Sequence, residues 1–203
     1  TLTAAEANSV NSSLLNTTDL VAKNYQLNWA CYNDSAMDDT LVIDGYETGY
    51  SNYIRIYAPD EANPADVHEV NWSQRHNGTA GTGFRLAPVT SSPGGGYDIV
   101  SINEEFVRLE GIEIDGNGIT NAYDINGVEV EASLSSMSDV RLDSLIVHDI
   151  SNVNSGNTGY IQGISIDSGK TKVSNSIIYN IENNDATNSN ARGIGFDGVE
   201  LYV

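Results

Sequence analysis

The chain has 203 residues, of which 28 are acidic and 9 basic, for a formal net charge of −19. That balance argues against a nucleic-acid partner, which demands a basic face. It suits a solvated exterior or bound divalent cations. No apolar run approaches the ~18 residues of a membrane helix, so no membrane insertion is expected. One cysteine, Cys31, rules out an internal disulfide. Its neighbours Trp29, Ala30 and Tyr32 predict a buried, inert thiol.

Residues 1–39 read as an N-terminal cap. Ala4, Ala5, Ala7, Val10, Leu14, Leu15, Leu20 and Val21 fall roughly at helical spacing, and Thr3 with Glu6 resembles a capping box. The spacing predicts a short helix that covers one end of the main body, residues 40–203. A strand over 40–43 ends at the turn signal Asp44, Gly45, and a second, over 52–57, stops before Pro59. A long polar loop is expected over 59–82. Residues 83–86 (Gly-Phe-Arg-Leu) read as an early copy of a motif that recurs later.

From residue 106 the chain repeats. Residues 142–150 align with 173–181 at an offset of 31 and with 109–115 at an offset of 33. A Gly-x-x-x-acid motif interleaves with them, at 127–131, 163–167 and 193–197. Insertions rich in Asn, Gly, Ser and Asp recur at the same phase, at 115–126, 151–161 and 182–191. Repeats of 30–36 residues built from short alternating strands are a solenoid signature. Each leaves no room for a helix of normal length, so the expected fold is all-β, a parallel β-helix.

Stacking the repeats at ~4.8 Å turns every position into a column. Val128 and Val130, Ile164 and Ile166, and Ile194 and Phe196 face inward. Arg108, Arg141 and Lys172 form a basic column. Glu110, Asp143 and Ser174 lie two residues on, on the same outward face, and are expected to form solvated pairs with it. Glu131, Asp167 and Asp197 stack with no base in register, a column of like charges that either raises its pKa values or holds a cation such as Ca²⁺.

The interleaved motifs resemble the right-handed parallel β-helix of the pectate-lyase-like superfamily. Residues 30–34, 52–59 and 75–86 are similar to the opening of large β-helix surface proteins of environmental bacteria. That resemblance implies an N-terminal cap and a secreted or cell-surface location, and it implies no reaction. The superfamily's enzymatic signatures are missing: no Gly-His-Gly occurs, and the only adjacent Asp pair, Asp38 and Asp39, precedes the repeats. His148 and Asp149 are neighbours on a repeat strand, where alternation predicts opposite faces and no dyad.

The expected function is therefore a non-catalytic, structural or adhesive extracellular β-helix. Its alternatives are a lyase or glycosidase acting on acidic polysaccharide, and a carbohydrate-binding or virus-spike module. Residues 198–203 read as a strand with no cap after it, which predicts either further chain or self-association end to end into a filament.

Overall fold

The computed structural model describes residues 17–63, 66, 73–91, 96–120, 124–131, 133–152, 159–184 and 190–203. Most of the stretch expected to form the capping helix lies outside them. The described helix, α1 (Leu20–Lys23), is one turn long. Asp19 caps it by accepting a hydrogen bond from Ala22 N, and Asn24 closes it in the left-handed conformation.

Among the described residues everything else of regular structure is strand, and the sheets are parallel, stacked as a β-solenoid of about 5 turns. One sheet has six strands: β1 (Leu27–Ala30), β3 (Ile54–Tyr57), β7 (Val107–Glu110), β11 (Val140–Asp143), β14 (Lys170–Ser174) and β17 (Glu200–Tyr202). A second has five: β2 (Leu41–Ile43), β6 (Tyr97–Ile102), β10 (Ile125–Val130), β13 (Ile161–Ile166) and β16 (Ala191–Phe196). A third has four: β4 (Arg85–Leu86), β8 (Glu113–Asp115), β12 (Ile146–Asn152) and β15 (Ile177–Asn183). A short pair, β5 (Thr90–Ser91) with β9 (Ile119–Thr120), lies outside them. The first strand, β1, falls inside the stretch read as the cap.

The predicted register holds. Leu109, Leu142 and Val173 are partners across three coils, and Ile56 and Trp29 extend that column. Leu41, Val100, Val128, Ile164 and Ile194 form the matching column of the five-stranded sheet, and Leu86, Ile114, Val147 and Ile178 that of the four-stranded one. Most of these side chains are fully buried. β-Branched residues dominate because a pleated surface packed on both sides of a column favours them. Gly127 is required for close packing: a Cβ there would meet Gly163 O at 2.5 Å and Val147 Cγ1 at 2.5 Å.

One motif assignment changes. Residues 83–86 do not copy the Gly-Val-Glu-Val motif, which forms β10 of the five-stranded sheet. Arg85 and Leu86 instead pair with Glu113 and Ile114 in the four-stranded sheet. A glycine followed by alternating residues suits either wall, and pairing partners decide between them. In the last coil, Ile177, Phe196, Val199 and Tyr202 are exposed. No helix is long and apolar enough to cross a membrane among the described residues.

Candidate functional site

The corners between the sheets set the side-chain geometry. Gly111, Ser144 and Asn175 occupy equivalent corners of successive coils, all with positive φ. Asp143 binds this corner, accepting from Ser174 Oγ (2.6 Å), Ser144 Oγ (2.9 Å) and Asn175 Nδ2 (2.9 Å). Burial acts to raise its pKa, but those donors and the nearby Arg75 charge hold it below the ordinary carboxylate range. The expected Arg141–Asp143 pair therefore does not form, and Arg141 binds Asp139 instead at 2.5 Å. Glu110 is likewise taken by Arg55 (2.6 Å) rather than Arg108. Arg55 is in register with Arg108, so it heads the basic column.

A second corner overturns the expectation for His148. Its Nδ1 lies 2.8 Å from Asp149 Oδ2, although the two are sequence neighbours on β12. Asp149 has φ +54° and drops out of the ladder, so it turns back to the face of the residue before it. The other ring nitrogen, Nε2, lies 3.0 Å from Glu113 Oε1. A carboxylate at each nitrogen can accept from both when the ring is protonated, an arrangement that favours the imidazolium form. Burial opposes that charge, but Glu113, Asp149 and Asp115 outweigh it and hold the His148 pKa above its usual value. Glu113 is fully buried and also accepts from Gly81 N at 2.6 Å. Arg85 lies 3.2 Å from Asp115 and 3.8 Å from Glu113, and Tyr179 stacks on His148 at 5.1 Å and 4°. Glu113, Asp115 and His148 are close enough to ligate one ion. Arg85 already supplies these acids with positive charge, Gly81 N reaches Glu113 from the preceding loop, and Glu113 and His148 are buried, so the cluster reads as a structural network.

The open site lies on the outer face of the five-stranded sheet. A groove of about 520 Å³ runs across β6, β10, β13 and β16, with Asp124 and Tyr160 at its rim. Two columns floor it. One is Asp98, Asn126, Gln162 and Arg192, the other Ser101, Glu129, Ser165 and Gly195. Asn126 Nδ2 donates to Asp98 Oδ1 at 2.9 Å, and Gln162 Nε2 donates to Ser165 Oγ at 2.9 Å. Ser165 Oγ passes the chain on to Asp167 Oδ1 at 2.9 Å. Gln162 Oε1 is buried with no partner. Its amide packs over Gly195, where a Cβ would lie 1.6 Å from that oxygen. The Arg192 guanidinium carbon lies 4.9 Å from the Tyr160 ring centroid.

The acid column expected to hold a cation divides here. Asp167 and Asp197 line the groove, while Glu131 joins Asp98 and Glu129, with one carboxylate oxygen from each within 4.8 Å of the others. Glu131 also accepts from Ser101 Oγ at 3.0 Å. The crowding falls on Glu129. Burial, followed by the carboxylates of Asp98, Glu131 and Asp167, pushes it up to about 8, and it shares a hydrogen bond with Asp98. Sequence reasoning passed over Asp98 and Glu129 because their columns mix acid, amide and hydroxyl residues, leaving no single letter to repeat.

Cys31 is buried, and burial pushes its thiol up to about 12, which makes it inert. Comparison with protein families, curated proteins and solved structures returns no match to this chain.

Proposed function

We propose that this protein is a non-catalytic, adhesive β-solenoid of the cell exterior that holds a polysaccharide in the groove of its five-stranded sheet. The observation that carries the reading is the acceptor excess of that groove. Carboxyl groups of Asp98, Asp124, Glu129, Asp167 and Asp197 line it, and Gln162, another lining residue, keeps a buried Oε1 without a partner. Sugar hydroxyls are donors that match such a lining, and Tyr160 offers an aromatic face at the rim. A neutral glycan fits better than an acidic one, since the groove's described base is Arg192 alone. Placement in the pectate-lyase-like superfamily and a secreted or cell-surface location are parts of this proposal, supported by the parallel solenoid and the acidic exterior.

A divalent cation is the other partner that such an oxygen-rich lining can coordinate. Asp98, Glu129 and Glu131 are the residues that would hold Ca²⁺, with Asp167 and Asp197 further along the groove. Calorimetry with neutral polysaccharides, with and without added Ca²⁺, tests both. Tyr160→Ala and Gln162→Ala are expected to weaken glycan binding roughly tenfold each. Binding indifferent to both variants sinks the groove reading.

A second reading, a glycosidase, is favoured by one observation: a carboxyl with a raised pKa, Glu129, beside an acid partner, Asp98. Release of new reducing ends by the native chain, abolished by Glu129→Gln, would replace the adhesive reading with this one.

A further inference from the structure

The acidic surface hides a concentration of cations. Arg75, Arg108, Arg141 and Lys172, four of the chain's 9 bases, line one cleft of about 280 Å³ on the outer face of the six-stranded sheet. This is a different wall of the solenoid from the groove. The acids beside the cleft are committed elsewhere. Glu110 is held by Arg55 through both Nε (2.8 Å) and a terminal nitrogen (2.6 Å). Asp143 already accepts from two hydroxyls and an amide. Arg141 has Asp139. That leaves Arg75, Arg108 and Lys172 without an ion pair among the described residues.

Each of the three is placed, not merely present. Arg75 is laid across Gly111, where a Cβ would come within 2.3 Å of its Nε, and that Nε is buried without a hydrogen-bond partner. Arg108 is flattened onto the Tyr53 ring, its guanidinium carbon 3.5 Å from the centroid. That stacking fixes the plane of the group and leaves its edge donors free. Arg108, Arg141 and Lys172 are in register, one cation per coil. Glu110 and Asp143 share the cleft and Asp143 feels the Arg75 charge, but no carboxylate among the described residues forms an ion pair with Arg75, Arg108 or Lys172. A buried donor without a partner and unpaired cations favour an added anion.

We propose that this cleft binds the carboxylate or sulfate groups of an extended acidic glycan. Arg75 and Arg108 converge on one oxyanion through planar, directional donors. Arg141 and Lys172 continue the positive track at ~4.8 Å per coil, so a polymer running up the stack meets a cation at each step. At physiological salt the screening length is about 8 Å, so these local cations, and not the net charge of the whole chain, decide what approaches the cleft.

The test is affinity electrophoresis and calorimetry on the full chain with four probes: polygalacturonate, heparin, inorganic sulfate and neutral dextran. The expected result is binding of a polyanion, weakened by raised salt, and weakened roughly tenfold by Lys172→Ala or Arg108→Gln. Lys23→Ala, which removes an exposed base from helix α1, serves as the charge control and leaves binding unchanged. Lys172 is exposed, so its variant reports on the cleft even if Arg108→Gln folds poorly. Polygalacturonate and heparin distinguish a carboxylate from a sulfate ligand. Inorganic sulfate bound as tightly as either polymer overturns the glycan assignment. No polyanion bound, or an equal loss in Lys23→Ala, overturns the cleft. Arg108→Gln and Lys172→Ala leave the neutral-glycan groove intact, so failure here is distinguishable from failure of the groove reading.

Discussion

At φ +54° the Asp149 backbone takes a left-handed turn that most side chains resist, and its carboxylate then reaches the ring of the residue before it. Asp149→Ala removes the His148 contact and a side chain that tolerates this turn, and is expected to cost about 1–2 kcal/mol from the backbone alone. Asp149→Asn keeps the turn and removes the charge. Urea unfolding of the two, with an NMR titration of His148, separates the contributions: the His148 pKa falls in both variants, while the stability loss is larger in the alanine variant. The same shifts set the pH dependence of stability. His148 is raised, so its contribution is complete below the usual histidine pKa of about 6.5 and is lost as pH rises through the higher folded value. Glu129, pushed up to about 8, and Glu104, which burial pushes up to about 7, act the same way: their contributions are complete below about 4.3 and lost as pH climbs. Asp149 is lowered, chiefly by Asn180 Nδ2, and Glu113 is held down by His148, Gly81 N and Arg85 against the effect of burial. Their contributions are lost only as pH falls through their depressed values. Thermal unfolding is therefore expected to give the highest Tm in mild acid, near pH 5, with a decline toward pH 8 that Glu129→Gln flattens. A Tm that rises steadily from pH 5 to 8 contradicts this assignment.

An element in this fold is held mainly by its copies one coil away, and that is why its register was legible. Leu109 and Leu142 match by letter, and Val173 matches them in apolar character and position, so offsets of 33 and 31 gave the pairing without further information. Arg55 escaped the basic column because 53 residues separate it from Arg108, with the irregular loop between them. The His148 turn escaped because alternation assumes an uninterrupted strand, and a single left-handed residue breaks that assumption. Packing within the stack leaves little slack. Gly127→Ala drives a methyl group into Gly163 O and Val147, and is expected to cost about 1–3 kcal/mol in denaturant unfolding. Leu142→Ala leaves a cavity in the middle of its column and is expected to cost about 2–5 kcal/mol. Substitution at the exposed Val199 should move the midpoint by far less.

For the whole molecule, the formal charge of −19 sets the response to solvent. Self-repulsion destabilises the compact state, so added salt is expected to raise Tm until screening saturates. If Ca²⁺ enters the groove, it raises Tm beyond what Mg²⁺ does at the same ionic strength, because the flexible oxygen lining suits the larger ion. Glu129→Gln should remove that difference. The composition told of an acidic exterior but not of its division into an acceptor-rich groove on one wall and a cationic cleft on another. Only the coil geometry assigns Asp98 and Arg108 to different faces.

The ladder hydrogen bonds of all three walls run along the stacking direction, from each strand to its copies above and below. Tension applied along that direction loads those bonds head-on, coil by coil, instead of shearing a whole strand at once. A tether pulled from its two ends should lengthen in successive small steps at modest force, each releasing about one repeat of chain. An adhesin built this way would yield gradually under flow while its remaining coils kept their hold.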